Sequence, residues 1–170
     1  MTFELINTLD SVAKERISSF LDSLTEERIF FKLPKSKVIE AEYVIFENIN
    51  GQDVGMVGVR KAFIIPIPFV IVKKQYQGKT IGKRLLEENL RIAATKYHFE
   101  IPTVGAENRV IVLKNLNMNH RKFLGIIDGR YYFYHPFDRI GEVLFYLSKI
   151  MFWIAMPIFS IRKNFSSIKC

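Results

Sequence analysis

Apolar residues after Asp10 fall at Val12, Ile17, Phe20 and Leu21, close to the helical repeat, and Asp10 stands where it can cap the helix they predict. Phe3 to Ile6, just before, is a short apolar run that reads as a first strand. Ser23 and Glu26 have capping-box spacing ahead of a second, shorter helix through Arg28 and Phe31. After Pro34 the period changes. Glu42–Glu47 and Val54–Val59 are strand-like runs flanking Asn50-Gly51-Gln52-Asp53, which predicts a hairpin. Ala62–Val72 follows as an apolar run holding Pro66 and Pro68; two prolines so close cannot both sit in a central ladder, so a bulge, an edge or a splayed strand is expected.

From Lys79 to Tyr97, apolar Ile81, Leu85, Leu86, Leu90, Ala93, Ala94 and Tyr97 alternate with charged residues at helical spacing, giving the clearest helix of the chain. Thr103–Glu107 reads as a short strand, Asn108 as the cap of a helix through Leu116, and Gly125–Tyr134 as a hairpin around Asp128-Gly129. This order predicts a mixed α/β (α+β) domain over residues 1–136, followed by an apolar and basic extension over 137–170.

Composition narrows the class. The chain has 170 residues, 49% hydrophobic and 25% charged, which suits one globular domain with its own core. Lys and Arg exceed Asp and Glu by 25 to 17, and the resulting +8 favours an anionic partner: a phosphorylated cofactor, a nucleic acid or an acidic membrane. Cys170 is the single cysteine, so an internal disulfide and a multi-thiolate metal site are excluded, and its place at the end does not fit a prenylation box. His98, His120 and His135 lack metal-ligand spacing, and no metal is assigned. No secretory signal precedes the first helix, which makes the cytoplasm the expected address.

The charge is unevenly placed. Between Val54 and Leu86 there is no acidic residue, while Lys73, Lys74, Lys79, Lys83 and Arg84 cluster where a strand gives way to the strongest helix. Basic side chains at a helix N-terminus oppose the macrodipole by roughly 0.3–1 kcal/mol each, and a bound anion reverses that sign. A phosphate cradle built with Gly78 and Gly82 and a solvated basic face are the two readings of that cluster. Gly78-Lys79-Thr80 is not the end of a P-loop, because Lys73 occupies the position of its first glycine, and no dinucleotide fingerprint occurs.

Val72-Lys73-Lys74-Gln75-Tyr76-Gln77-Gly78-Lys79-Thr80-Ile81-Gly82-Lys83-Arg84-Leu85-Leu86 resembles the acetyl-CoA motif of the GNAT N-acetyltransferases, Gln/Arg-x-x-Gly-x-Gly/Ala. Gln77 takes the first position and Gly82 the last; Thr80 replaces the middle glycine. The order of elements from about Thr2 to Pro136 is similar to the family as well. The resemblance implies a GNAT-like, mixed but mostly antiparallel sheet flanked by helices, here with an extra apolar C-terminal helix. It implies that the backbone of Gly78, Lys79, Thr80, Ile81, Gly82 and Lys83 holds the pyrophosphate of acetyl-CoA. Thr80 is then expected at negative φ, as in a first helical turn. By the same resemblance Phe69, Val70, Ile71 and Val72 line the pantetheine gap, and Asn108 contacts the pantetheine arm.

The implied activity is transfer of an acetyl group to a primary amine. The tyrosine that donates a proton in many family members is replaced by Asn115, and the usual Gly-Phe after it is missing unless Phe123-Leu124-Gly125 serves in a shifted register. Glu107 stands where it can act as a base directly or through water, or simply as a surface or cap carboxylate. Tyr131, Tyr132 and Tyr134 alternate on a strand as packing residues, one of which can face a site. A non-catalytic CoA-binding or scaffold module is the alternative. A nucleic-acid binder would explain the charge, but no aromatic-studded basic stripe or recognition motif supports it.

Val143–Ile161 carries one charge in 19 residues, Lys149, with Arg139 and Glu142 before it and Arg162 and Lys163 after. Residues 139–161 therefore suit an in-plane helix at the inner face of a membrane, a packing helix on the domain itself or a homodimer contact, and Lys149 and Pro157 oppose a simple span.

Overall fold

The computed structural model describes residues 2–7, 10–26, 34–62 and 64–166, with side chains in the last helix described as far as Ile154. These residues form two compact units that meet in sequence between Lys96 and Tyr97.

In the first unit, β1 (Thr2–Asn7) leads to α1 (Ser11–Glu26), α2 (Lys35–Ile39), β2 (Tyr43–Ile49), β3 (Gln52–Ala62), β4 (Ile65–Val72) and α3 (Ile81–Lys96). The four strands lie in the order β1-β2-β3-β4, all antiparallel. Asp10 caps α1 as expected, its carboxylate accepting from the Val12 N–H at 3.1 Å. The expected break at Ser23 does not occur. α1 runs unbroken to Glu26, with Ser23 inside it and its hydroxyl donating to the Phe20 carbonyl, 2.7 Å away, so Ser23 does not take the non-helical backbone of an N-cap; the residues through Arg28 and Phe31 lie outside those described. α2, a single turn after Pro34, has too few residues to show a period and was not foreseen.

β2 and β3 meet through Asn50 and Gly51, both at positive φ, the two-residue turn whose twist matches a hairpin. Side chains of β2 alternate between two covered faces. Val44 and Phe46 join Ile17, Phe20 and Leu24 of α1, while Tyr43 reaches α3, where its hydroxyl donates to Asn89 at 2.9 Å. β3 is buried on both faces, which is why its sequence reads as a near-continuous apolar run. β4 is the edge strand, and it pairs with β3 without a bulge, Pro68 opposite Val59 and Pro66 opposite Lys61. Two residues apart, both proline nitrogens point to the same side of the strand, and that side is the open edge.

The second unit holds β5 (Phe99–Glu100), β6 (Thr103–Gly105), α4 (Arg109–Leu116), β7 (Lys122–Ile127), β8 (Arg130–Pro136) and α5 (Arg139–Ser166). β5 and β6 share one register against β8, and the Phe133 N–H donates to the Pro102 carbonyl between them. They are one strand interrupted where Pro102 has no N–H to give, so only its second half was legible as a strand. β8 is central, with β7 on its other side through the Asp128-Gly129 turn. α5 packs on the face of β8 that carries Tyr132 and Tyr134, through Phe152 and Phe145 with ring centroids 5.4 Å apart in each pair. Its first turn comes so close to the His98 carbonyl that a side chain at Gly141 would collide with it. Among the described residues no helix is long and apolar enough to cross a membrane.

Candidate functional site

The loop between β4 and α3 is built from backbone. A single 3-10 turn at Lys74–Tyr76 follows β4, and the Gln77 side chain donates back to the Val72 carbonyl at 3.1 Å, fixing where the chain turns. Gly78 then adopts φ +79° and Thr80 φ +62°. The expectation of a negative φ at Thr80 is therefore wrong. The chain must reverse within three residues to start α3, and the left-handed region does this at a position where the family motif has glycine. A threonine held there stores of order 1–3 kcal/mol of strain, the kind of outlier that concentrates at ligand sites. Its hydroxyl donates to the Lys79 carbonyl at 2.6 Å and accepts from Arg84 at 3.2 Å.

The first N–H of α3 with a backbone acceptor is that of Arg84, which reaches the Thr80 carbonyl at 3.1 Å. Among the described residues, nothing accepts from the N–H groups of Ile81, Gly82 and Lys83, the orphan donors of a helix start. The space in front of them is open. A Cβ on Gly78 would meet nothing within 4 Å, and one on Gly82 would meet only Val72 Cγ2, at 3.6 Å. Internal packing thus gives no reason for a helical glycine at 82 that costs about 1 kcal/mol relative to alanine. A phosphate drawn close to the backbone gives one.

The basic cluster divides. Lys73 is buried with its ammonium 5.6 Å from the Phe20 ring, and Arg84 pairs with the fully buried Glu47. Lys79, over the Tyr76 ring at 5.4 Å, and Lys83, in a loose 3.7 Å pair with Glu87, stay at the surface beside the loop. On β4, Phe69 and Ile71 face the α1 core, whereas Val70 is exposed and Val72 lies beside Gly82. The Lys73 N–H donates to Val54 of β3 and the Val72 carbonyl accepts from Gln77, so odd positions bond inward and even ones point to the open edge. The N–H and carbonyl of Val70 consequently face outward from the sheet.

In the second unit, Glu107 is exposed on the turn between β6 and α4, its carboxylate folded so close over Gly105 that a Cβ there would overlap it. The Asn108 N–H closes that turn on the Gly105 carbonyl at 3.0 Å, and its side chain makes no capping bond to α4. That corrects the capping role expected of Asn108. Its φ and ψ of −90° and 57° lie away from the β-region that a side-chain cap needs.

Asn115, in the place of the family tyrosine, is buried. Its amide nitrogen donates to the Ile111 carbonyl at 2.7 Å and its oxygen accepts from Arg121. It belongs to a polar layer with Arg121, Glu100, His135 and His120, in which the two histidine rings lie 4.8 Å apart. Burial pulls the Arg121 guanidinium down and Glu100 opposes it; burial, then His135 and Arg121, pulls His120 down. This layer was not legible in the sequence, since its members carry no common spacing. Tyr134 is buried, donates to the Gly141 carbonyl at 2.7 Å and is pushed far above its ordinary value by burial. Tyr132 stacks under α5, leaving Tyr131 on the opposite face beside Phe123. Phe123-Leu124-Gly125 forms a register shift in β7. Among the described residues no group of three His, Cys, Asp or Glu side chains is placed to hold a metal.

No protein-family model matches the chain, and no characterised protein matches it by sequence. Solved structures do match. Escherichia coli ElaA superposes with a TM-score of 0.61 at 10% identity, over 79% of this chain and 99% of that one. An acetyltransferase of the GNAT family from Streptococcus pneumoniae gives 0.52 at 14% identity, over 78% and 97%. The PaiA N-acetyltransferase of Thermoplasma acidophilum, in complex with coenzyme A, gives 0.57 at 15% identity, over 80% and 99%. The superposition extends over nearly the whole of each of these chains, and the protein has the GNAT fold.

Proposed function

We propose that the protein is an acetyl-CoA-dependent N-acyltransferase that moves an acetyl group to a primary amine. The observation that carries this reading is the loop at residues 77–83: three orphan helix donors beside two glycines, where among the described residues a Cβ on Gly78 would meet nothing within 4 Å and one on Gly82 only Val72 Cγ2. On this reading Gln77, Gly78, Lys79, Thr80, Ile81, Gly82 and Lys83 hold the pyrophosphate, the backbone donors supplying the hydrogen bonds and Lys79 and Lys83 the charge. The outward N–H of Val70 donates to the thioester carbonyl, where charge grows during attack, and the edge of β4 at Val70 and Val72 receives the pantetheine arm. Ile71, with its side chain in the core and its backbone bonded to β3, holds Val70 and Val72 on that edge. Asn108 contacts the pantetheine arm, and Glu107 takes the proton of the acceptor ammonium, directly or through water. The amine nitrogen then bonds to the carbonyl carbon, the carbon–sulfur bond breaks, and the surplus proton on the attacking nitrogen passes through water to the departing thiolate, leaving the amide and free thiol. Residues 1–136 form the acetyltransferase domain and 137–170 its extension.

Titration calorimetry with acetyl-CoA tests this reading. Gly82→Asp puts a carboxylate where the pyrophosphate would lie and should weaken binding at least tenfold, about 1.4 kcal/mol. An acidic residue in a first helical turn favours the helix, so the variant should keep its fold. Unchanged affinity in the folded variant refutes the reading. The second reading, a CoA-binding module without catalysis, is favoured by one observation, the structural use of both ends of the Asn115 amide. Release of free thiol with a panel of primary amines separates the two: sustained release means an enzyme, and binding without release means a module.

A further inference from the structure

α5 has two faces. One is packed on its own sheet through Phe145 and Phe152. The other carries Ile140, Val143, Leu147, Ile150 and Ile154 at alternating steps of three and four residues, flanked by Tyr146 and Trp153, all more than half exposed. Tyr146, Ile150, Trp153 and Ile154 line a shallow apolar groove together with Lys149. An exposed apolar surface of this length marks an interaction site.

Charge identifies the partner. Glu142 is the last acidic residue of the sequence and is paired with Lys122, whereas Arg139, Lys149, Arg162, Lys163 and Lys169 are all basic. We infer that the outer face of α5 lies in the plane of an anionic lipid surface, with the isoleucine row among the acyl chains and Lys149 reaching up to the phosphates. Trp and Tyr beside the row suit the boundary between apolar and polar layers, and a lysine stem can lie along apolar surface while its head stays at the phosphate level. A second copy of the chain fits less well. Glu142, the one acidic residue of α5, is already paired with Lys122, so a like pair would set Lys149 and the basic residues after it against each other.

The test is sedimentation of the full chain with vesicles of phosphatidylcholine, with and without phosphatidylglycerol. The full chain should pellet with the anionic vesicles, stay in the supernatant with the neutral ones, and be released by salt. Lys149→Glu should lower anionic partitioning by on the order of tenfold. Ile150→Asp, at an exposed position that the fold does not need, should abolish it while leaving the circular dichroism unchanged. A folded chain that ignores anionic vesicles overturns the proposal, as does equal binding to both vesicle types. A dimer that Ile150→Asp dissociates, in a chain that binds no vesicles, assigns the face to a second copy and overturns it as well.

Discussion

Thr80 and Gly82 put opposite signs on one loop. Thr80 sits at φ +62°, where a β-branched side chain is strained. Thr80→Gly should therefore raise stability by about 1 kcal/mol, net of the extra freedom glycine gives the unfolded chain, read as a higher denaturant midpoint at unchanged slope. A lower midpoint would mean that the bond from Arg84 to the threonine hydroxyl outweighs the strain. Gly82 is strained by nothing and crowded only by Val72. Gly82→Ala should thus stabilise α3 by up to about 1 kcal/mol while leaving acetyl-CoA binding within about twofold, since the motif takes alanine as well as glycine at this position. A folded alanine variant that no longer binds acetyl-CoA would contradict that placement of the motif. At Glu107, Glu107→Gln should lower turnover more at neutral pH than at high pH, where the amine is already free of its proton. Equal loss at both would make that carboxylate structural.

Two ion pairs hold the elements of the first unit in place. Glu47 of β2 is fully buried, and its charge is met by Arg84 of α3 while its second oxygen has no partner among the described residues. Arg84→Met should cost about 3 kcal/mol because it strands that carboxylate, and adding Glu47→Leu should recover most of the loss in a double-mutant cycle. The second pair joins α1 to the β2–β3 hairpin: Arg16 donates to Asp53 at 2.8 and 2.7 Å, and to Glu4 at 2.8 Å. Burial pushes the Asp53 carboxyl up, but the bonds from Arg16 and Asn48 and the charges of Arg16 and Lys73 outweigh it, and the net shift is downward. A lowered folded value means stability that is present above the ordinary carboxylate range, about pH 4, and is lost as the pH falls through the folded value. Asp53→Asn should therefore lower stability at pH 7 and flatten its dependence on pH below about 4, measured as thermal midpoints across that range.

On the scale of the molecule, α5 belongs to the second unit by its inner face, whatever its outer face meets. Tyr134 is buried with Phe145 against it and its hydroxyl tied to Gly141. Truncation after Pro136 removes both partners and should leave a chain that aggregates, whereas truncation after Ile154 keeps them and should stay monodisperse in light scattering. A shorter chain of 136 residues that remained monodisperse would show that the sheet does not need its helix.

The local rules were readable from the residues alone. Helix period gave α1 and α3, strand-like runs and turn chemistry gave β2, β3 and β8, and the proline pair left a bulge, an edge or a splayed strand open for β4, because each of these depends on neighbours in sequence; the fold chose the edge. The loop at Gln77–Lys83 was singled out by its resemblance to a family motif of consecutive residues, and the fold leaves its backbone donors open there. Elements too short to repeat a period, α2 and β5, were not. Nor was the left-handed turn at Thr80, which follows from how α3 must start rather than from any preference of threonine. Side-chain partners came only with the fold. Glu47 with Arg84, Asp53 with Arg16, and the layer of Glu100, His135, Arg121 and Asn115 join residues from different elements. A buried charge requires a partner but does not say from where in the chain it comes, and only the tertiary structure decides that.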